Sequence, residues 1–180
     1  MKKLLFLCLI LLFAITNCDR LKEDEIAARR IMYKVANILE SRFQLRYIGY
    51  SEEGEDKGYI KMSLFFNKFE SLSKDEGRKV IVDSVNEFLK EINSDPKMQP
   101  FLLVKPFTVN NIQIEIYVYT NEAKTIFYPN INVFSANRGK INYYTSSPDK
   151  KFGHYTEEEE TFEKAVKIVE AQNKGSDPLS

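Results

Sequence analysis

With one histidine, two cysteines and no tryptophan in 180 residues, this chain has too few soft ligands for a zinc cluster and too few thiols for a disulfide framework. Only 7 glycines and 6 prolines punctuate it, which excludes a collagen-like or low-complexity chain. It lacks an excess of either charge, since 26 lysines and arginines balance 26 aspartates and glutamates, and no basic surface points to nucleic acid. The sequence also lacks a serine-centred nucleophile elbow, an HExxH pair and a GKS or GKT phosphate loop, the short motifs that would announce a hydrolase or a nucleotide site. What it has is 43% hydrophobic and 29% charged residues, a mixture that builds one packed core at this length.

The longest apolar run is amino-terminal. Met1-Lys2-Lys3 leads into Leu4-Leu5-Phe6-Leu7-Cys8-Leu9-Ile10-Leu11-Leu12-Phe13-Ala14-Ile15, a charged start followed by about twelve apolar residues, as in a secretory signal peptide. A membrane-spanning helix needs roughly 20. The run ends at Ile15-Thr16-Asn17-Cys18 and gives way at once to Asp19-Arg20-Leu21-Lys22-Glu23-Asp24-Glu25.

This junction resembles the lipobox of bacterial lipoproteins, with Asn17 standing where that family usually has Gly, Ala or Ser. The resemblance implies that residues 1–17 are removed as a signal peptide and that Cys18 takes a diacylglyceryl group on its thiol and an acyl chain such as palmitate on its new amino group. It implies a bacterial cell-envelope location, a membrane reached through the lipid on Cys18, and a sorting role for Asp19 in favour of the inner membrane. Loss of residues 1–17 leaves 24 basic against 26 acidic residues, a net charge of about −2. Charge alone would not hold that mature form on anionic lipid, whereas two or three acyl chains, at about 0.8 kcal/mol per buried methylene, would. Cys8 leaves with the signal and Cys18 is blocked, so the mature form on this reading has no thiol for catalysis or disulfides.

Residues 18–22 then form a lipidated linker, 23–173 a single domain and 174–180 a disordered tail. Ile26, Ile31, Val35, Leu39 and Phe43, with Met32 and Ala36 beside them, have the spacing of an amphipathic helix over residues 23 to 43. Leu45 to Tyr50 and Tyr59 to Asn67 read as a hairpin around a polar, glycine-containing loop, with Ile60, Met62, Leu64 and Phe66 on the core face. Ser73-Lys74-Asp75-Glu76 is a capping box that starts a second helix, which Asn93-Ser94-Asp95-Pro96 ends. Residues 96–109 read as an irregular connection. Ile112 to Tyr119 alternates strictly as a strand, Ile131 to Ala136 and Ile141 to Thr145 follow about a turn at Asn137-Arg138-Gly139-Lys140, and Glu157 to Asn173 reads as a third helix. The order α-β-β-α-β-β-β-α predicts an α+β fold, a mostly antiparallel sheet of about five strands with helices on one face.

Few residues offer chemistry. His154 precedes Glu157-Glu158-Glu159-Glu160; a hydrolase would use it as a general base oriented by Glu157 or Glu158, while the plainer reading is a surface-loop histidine beside an acidic run. Glu52, Glu53, Glu55 and Asp56 crowd one loop without the alternating register of an EF-hand. No catalytic residue, metal or cofactor is assigned. Tyr117 and Tyr119 point away from the aliphatic face of their strand, and Tyr59, Phe65 and one of Tyr143 or Tyr144 are expected to share their surface. Aromatic side chains on a helix-free sheet face form either cross-strand pairs or a platform for a partner.

The segments Glu76-Gly77-Arg78-Lys79-Val80-Ile81-Val82, Pro106-Phe107-Thr108 and Thr161-Phe162-Glu163-Lys164-Ala165-Val166-Lys167-Ile168-Val169 are similar to uncharacterised small envelope proteins of chlamydia-like bacteria. That resemblance implies an envelope protein and brings no catalytic residue with it. The expectation is a lipid-anchored, non-catalytic module that binds an envelope protein or peptide and no nucleic acid. The alternatives are the His154 hydrolase and a purely structural envelope component.

Overall fold

The computed structural model describes residues 22–55, 58–150 and 153–175. The signal peptide, Cys18, Asp19 and residues 176–180 of the expected tail lie outside them. Helix α1 spans Glu23–Phe43 and buries Ile31, Met32, Val35, Ala36 and Leu39. Its start is held by the Glu25 carboxylate, which accepts from the Lys22 amide at 3.2 Å, and its acidic first turn suits the positive helix end. Ile26 leaves the expected stripe and is exposed, because Ala27 and Ala28 take the buried positions of that turn.

Strands β1 (Arg46–Glu55) and β2 (Gly58–Lys68) pair antiparallel as expected, but β1 runs five residues further than Tyr50. Two register shifts in that pair leave Ile48 and Ile60 without opposite partners, and a bulge of this kind moves the flanking side chains between faces. Met62, Leu64 and Phe66 are buried as the alternation requires, whereas Tyr59 takes the core position assigned to Ile60, which is exposed.

Helix α2 (Lys74–Ser94) begins at the capping box: Ser73 Oγ accepts from the Glu76 amide at 3.2 Å, and the Glu76 carboxylate accepts from the Ser73 amide at 2.9 Å. It buries Ile81, Val82, Val85, Phe88 and Ile92 and stops at Asp95. Asp95 takes both guanidinium nitrogens of Arg30 at 2.7 Å, tying the end of α2 to α1. Arg30 holds that carboxyl below the ordinary aspartate range, against the upward push of burial. Residues 96–109 carry a short 3-10 turn, Gln99–Phe101, and a parallel bridge from Leu102 to Tyr59.

Strand β3 (Ile112–Val118) lies parallel to β2, with α2 in the crossover. Strands β4 (Val133–Asn137) and β5 (Lys140–Tyr144) form a hairpin whose two turn residues, Arg138 at φ 50° and Gly139 at φ 75°, are both left-handed. That geometry is the one whose twist matches paired strands. Glu157 to Thr161 is not the start of the last helix but strand β6 (Glu157–Thr161), antiparallel to β5, and helix α3 (Phe162–Gly175) follows it. Three of its four acids find a cation there: Lys74 lies 2.6 Å from Glu158, Lys140 2.8 Å from Glu159, and Arg78 2.6 Å from Glu160. Those pairs override the helix preference of a glutamate run.

The fold is therefore α+β, and the described residues form a mixed six-stranded sheet in sequence order, β1-β2-β3-β4-β5-β6, and three helices. One parallel pair and the additional edge strand β6 replace the expected five-stranded, mostly antiparallel arrangement. The core joins the helices to Ile112, Ile114, Ile116, Val118, Phe134, Ala136, Ile141 and Tyr143 on a single face of the sheet.

Helix α2 lies close against the sheet at Gly77. A Cβ there would stand 2.0 Å from Cε1 of Phe134, a ring with no exposure. Gly77→Ala is expected to destabilise the protein by about 1–3 kcal/mol through overpacking, although alanine is favoured over glycine in a helix by roughly 0.5–1 kcal/mol. Urea unfolding of the two proteins checks the sign.

Candidate functional site

The sheet face away from the helices is polar and aromatic. On β3 the side chains of Gln113, Glu115 and Tyr117 point there and are half-buried, while their neighbours Ile114, Ile116 and Val118 are buried beneath the helices. Pairing carries this parity outward: Phe65 lies beside Glu115, Asn67 beside Tyr117, and Ser135 and Asn142 continue the row of Glu115.

Glu115 organises the centre of this face. It accepts hydrogen bonds from Gln113 Nε2 at 2.7 Å, from the Tyr117 hydroxyl at 2.5 Å and from Ser135 Oγ at 3.4 Å. Burial, the hydrogen bond to Glu115 and the charge of that carboxylate hold the Tyr117 phenol above its ordinary range. The hydrogen bond to Glu115 tethers the Tyr117 hydroxyl, which stays protonated. Tyr119 is stacked on Phe69 with ring centres 5.9 Å apart. Between these rings and β1 runs an open groove of about 410 Å³ lined by Ile48, Gly49, Phe65, Asn67, Tyr117 and Tyr119.

Gly49 forms a gap in the groove wall, since a Cβ built on it meets nothing within 4 Å. Further along the same face, Asn137 and Asn142 each keep a buried side-chain oxygen with no donor among the described residues. Buried acceptors of this kind require a donor from water or from a bound group.

Of the five residues expected to share this surface, Phe65, Tyr117 and Tyr119 line the groove, and Tyr144, in register with Tyr117 through Val133, lies on the same face outside it. Tyr59 is not among them. The bulge at Ile60 turns its ring into the core, where burial and the nearby carboxylates of Asp24 and Glu52 push its hydroxyl up to about 12. Ile48, Gly49, Asn67 and Glu115 were not singled out from the sequence. A glycine inside a strand pattern was the available signal for Gly49 and the bulge beside it.

No protein-family model, curated protein or solved structure matches this chain.

The remaining candidates separate. His154 is exposed, and its ring stacks on Tyr144 with centres 3.8 Å apart, with no hydrogen bond to a carboxylate among the described residues. Glu158 is engaged by Lys74 at 2.6 Å and pairs in register with Tyr143, so it belongs to the helix side of β6. Lys61 lies 3.1 Å from Glu53 in the acidic hairpin, and Asp56 lies outside the described residues. Among the described residues no group of three or more His, Cys, Asp or Glu side chains is placed to hold a metal ion. None of the described helices is long and apolar enough to cross a membrane.

Half-burial of the two tyrosines against complete burial of the aliphatic set has a measurable consequence. Ile116→Ala is expected to cost about 2–5 kcal/mol through lost transfer energy and a cavity. The double variant Tyr117→Ser/Tyr119→Ser is expected to cost less. Equilibrium unfolding in urea compares them, and a tyrosine pair as costly as Ile116→Ala would mean that both faces of β3 are covered in solution.

Proposed function

We propose that this protein is a lipid-anchored bacterial envelope protein that binds a protein or peptide partner on the helix-free face of its sheet and carries out no chemistry of its own. The groove of Ile48, Gly49, Phe65, Asn67, Tyr117 and Tyr119 is the observation that carries the binding part. Rigid, partly exposed aromatic rings supply contact area at little entropic cost, and such rings are the usual anchors of protein interfaces. The donor-free oxygens of Asn137 and Asn142 on the same face suit a ligand rich in N–H groups, as a polypeptide is. His154 is exposed and has no hydrogen bond to a carboxylate among the described residues, which favours this reading over a hydrolase. The anchor rests on the lipobox resemblance at Ile15-Thr16-Asn17-Cys18.

Metabolic labelling with a fatty acid is expected to mark the wild-type protein and not Cys18→Ala; equal incorporation would remove the anchor. For the groove, the decisive variant is Gly49→Leu, whose side chain enters open space rather than the fold. Peptides selected from a random display library against the wild-type protein are expected to lose about tenfold or more in affinity for Gly49→Leu, equivalent to ~1.4 kcal/mol. They should weaken likewise for Tyr117→Ser/Tyr119→Ser. Unchanged affinity in both variants would refute the platform.

A further inference from the structure

Four of the five exposed large aliphatic side chains among the described residues, Ile26, Ile60, Leu103 and Val104, belong to one end of the molecule. Isolated exposed aliphatics need no explanation, whereas a cluster does. Ile26 on α1 shares a concave surface with Pro100 and Phe101. Two residues beyond Phe101, the Leu103 amide donates to the Tyr59 carbonyl at 3.0 Å, and the Leu103 side chain lies over Gly58, where a Cβ would come within 2.4 Å of its Cδ2. Ile60 follows directly in the same strand. The ledge is fixed from beneath by Met98, Leu102 and Phe107, all buried. The Gln99 amide group adds bonds to the carbonyls of Ile92 at 3.0 Å and Asn93 at 3.1 Å.

The chain enters the domain at this ledge. Lys22, Glu23 and Asp24 line a surface hollow together with Phe101. Cys18 precedes Lys22 by four residues, so at most about 14 Å of extended chain separates them. Lipids on Cys18 therefore bring a bilayer within reach of Ile26, Phe101, Leu103 and Val104, and the described residues offer no other cluster of exposed aliphatic side chains. Charge does not drive the contact, since Lys22, Arg30 and Lys97 in these hollows are offset by Glu23, by Asp24 and by Asp95, which pairs with Arg30. Apolar insertion at the headgroup boundary does.

We infer that this ledge is a membrane-contact surface that seats the domain on the phospholipid bilayer holding its own amino terminus. The inference rests on the lipid-anchor reading and adds an orientation to it. β2, 11 residues long and so about 33 Å from end to end, rises from the bilayer at Gly58. Tyr155, whose amide donates to the Thr145 carbonyl beyond the last residue of β5, marks the far end.

The chain contains no tryptophan, and beyond residue 17 Cys18 is its only thiol. The protein beginning at Cys18 is therefore coupled through that thiol to a maleimide lipid in phosphatidylcholine vesicles, with a single tryptophan introduced by Leu103→Trp, Ile26→Trp or, as the distal control, Tyr155→Trp. Urea midpoints close to wild type establish that each variant folds. Emission from the first two is expected to shift to the blue on coupling and to be quenched by dibrominated phosphatidylcholine, with Tyr155→Trp unchanged. Equal quenching at all three sites, or at none, would overturn the orientation. A blue shift without quenching would overturn it too, because the ledge would then be covered by protein. Since the coupling is chemical, its result is independent of Cys18 acylation in cells, so fatty-acid labelling reports separately on the anchor.

Discussion

Strand β3 imposes the constraint on which the other elements depend. Its Ile112, Ile114, Ile116 and Val118 all turn toward the helices, and a paired strand cannot change the face of one side chain without changing that of its opposite number. Parity set on β3 therefore passes to Leu64 and Phe66 on one side and to Phe134 and Ala136 on the other, all of them buried. The same parity obliges Glu115, Tyr117, Ser135 and Asn142 to share the opposite face, where none of the described helices covers them. Core and platform are thus two consequences of one alternation.

The sheet edge at β6 is held by a different kind of interaction. Arg78 of α2 and Glu160 of β6 are both buried, and the Tyr143 hydroxyl donates to the same carboxylate oxygen that receives Arg78. Burial pushes the Glu160 carboxyl up, and the Tyr143 and Arg78 hydrogen bonds outweigh it and hold the group ionised below the ordinary glutamate range. Such a pair adds little net stability against an apolar replacement, but removing Arg78, which also pairs with Asp75, leaves the buried Glu160 carboxylate without its cation, at a cost of about 3–5 kcal/mol. Its effect is specificity: it selects the register in which Glu160 faces α2 and leaves Glu157 and Glu159 on the other side. An edge strand of glutamates also resists pairing with another chain.

The elements readable from sequence were those whose determinants are local. The capping box at Ser73, the period-two alternation of β3 and the turn at Arg138 and Gly139 each carry their cause within a few residues. By sequence β6 reads as helix because four successive glutamates favour helix in isolation, and the cations that pair with them in the strand come from Lys74, Arg78 and Lys140. The exchange of Tyr59 for Ile60 follows from a bulge against β1 that alternation within β2 cannot reveal. The parallel pairing of β2 with β3 had the same non-local origin, a crossover that α2 supplies. The candidate site was legible in Phe65 on β2, Tyr117 on β3 and Tyr119 just beyond it. Gly49, contributed by β1 from across the sheet, was not.

The proposed seating and the proposed platform constrain each other geometrically. Were the groove at the same end as the ledge, a bilayer drawn up by lipids on Cys18 would compete with any partner for Phe65 and Tyr117. It is not: the groove draws on Asn67, Tyr117 and Tyr119, toward the end of β2 and β3 remote from Gly58. A domain standing with Gly58 at the bilayer and its strands rising from it presents the helix-free face sideways and sets the tyrosines in its more distant half. A short tether then costs the platform nothing, because the distance that keeps it clear of lipid is supplied by the length of the strands rather than by the linker.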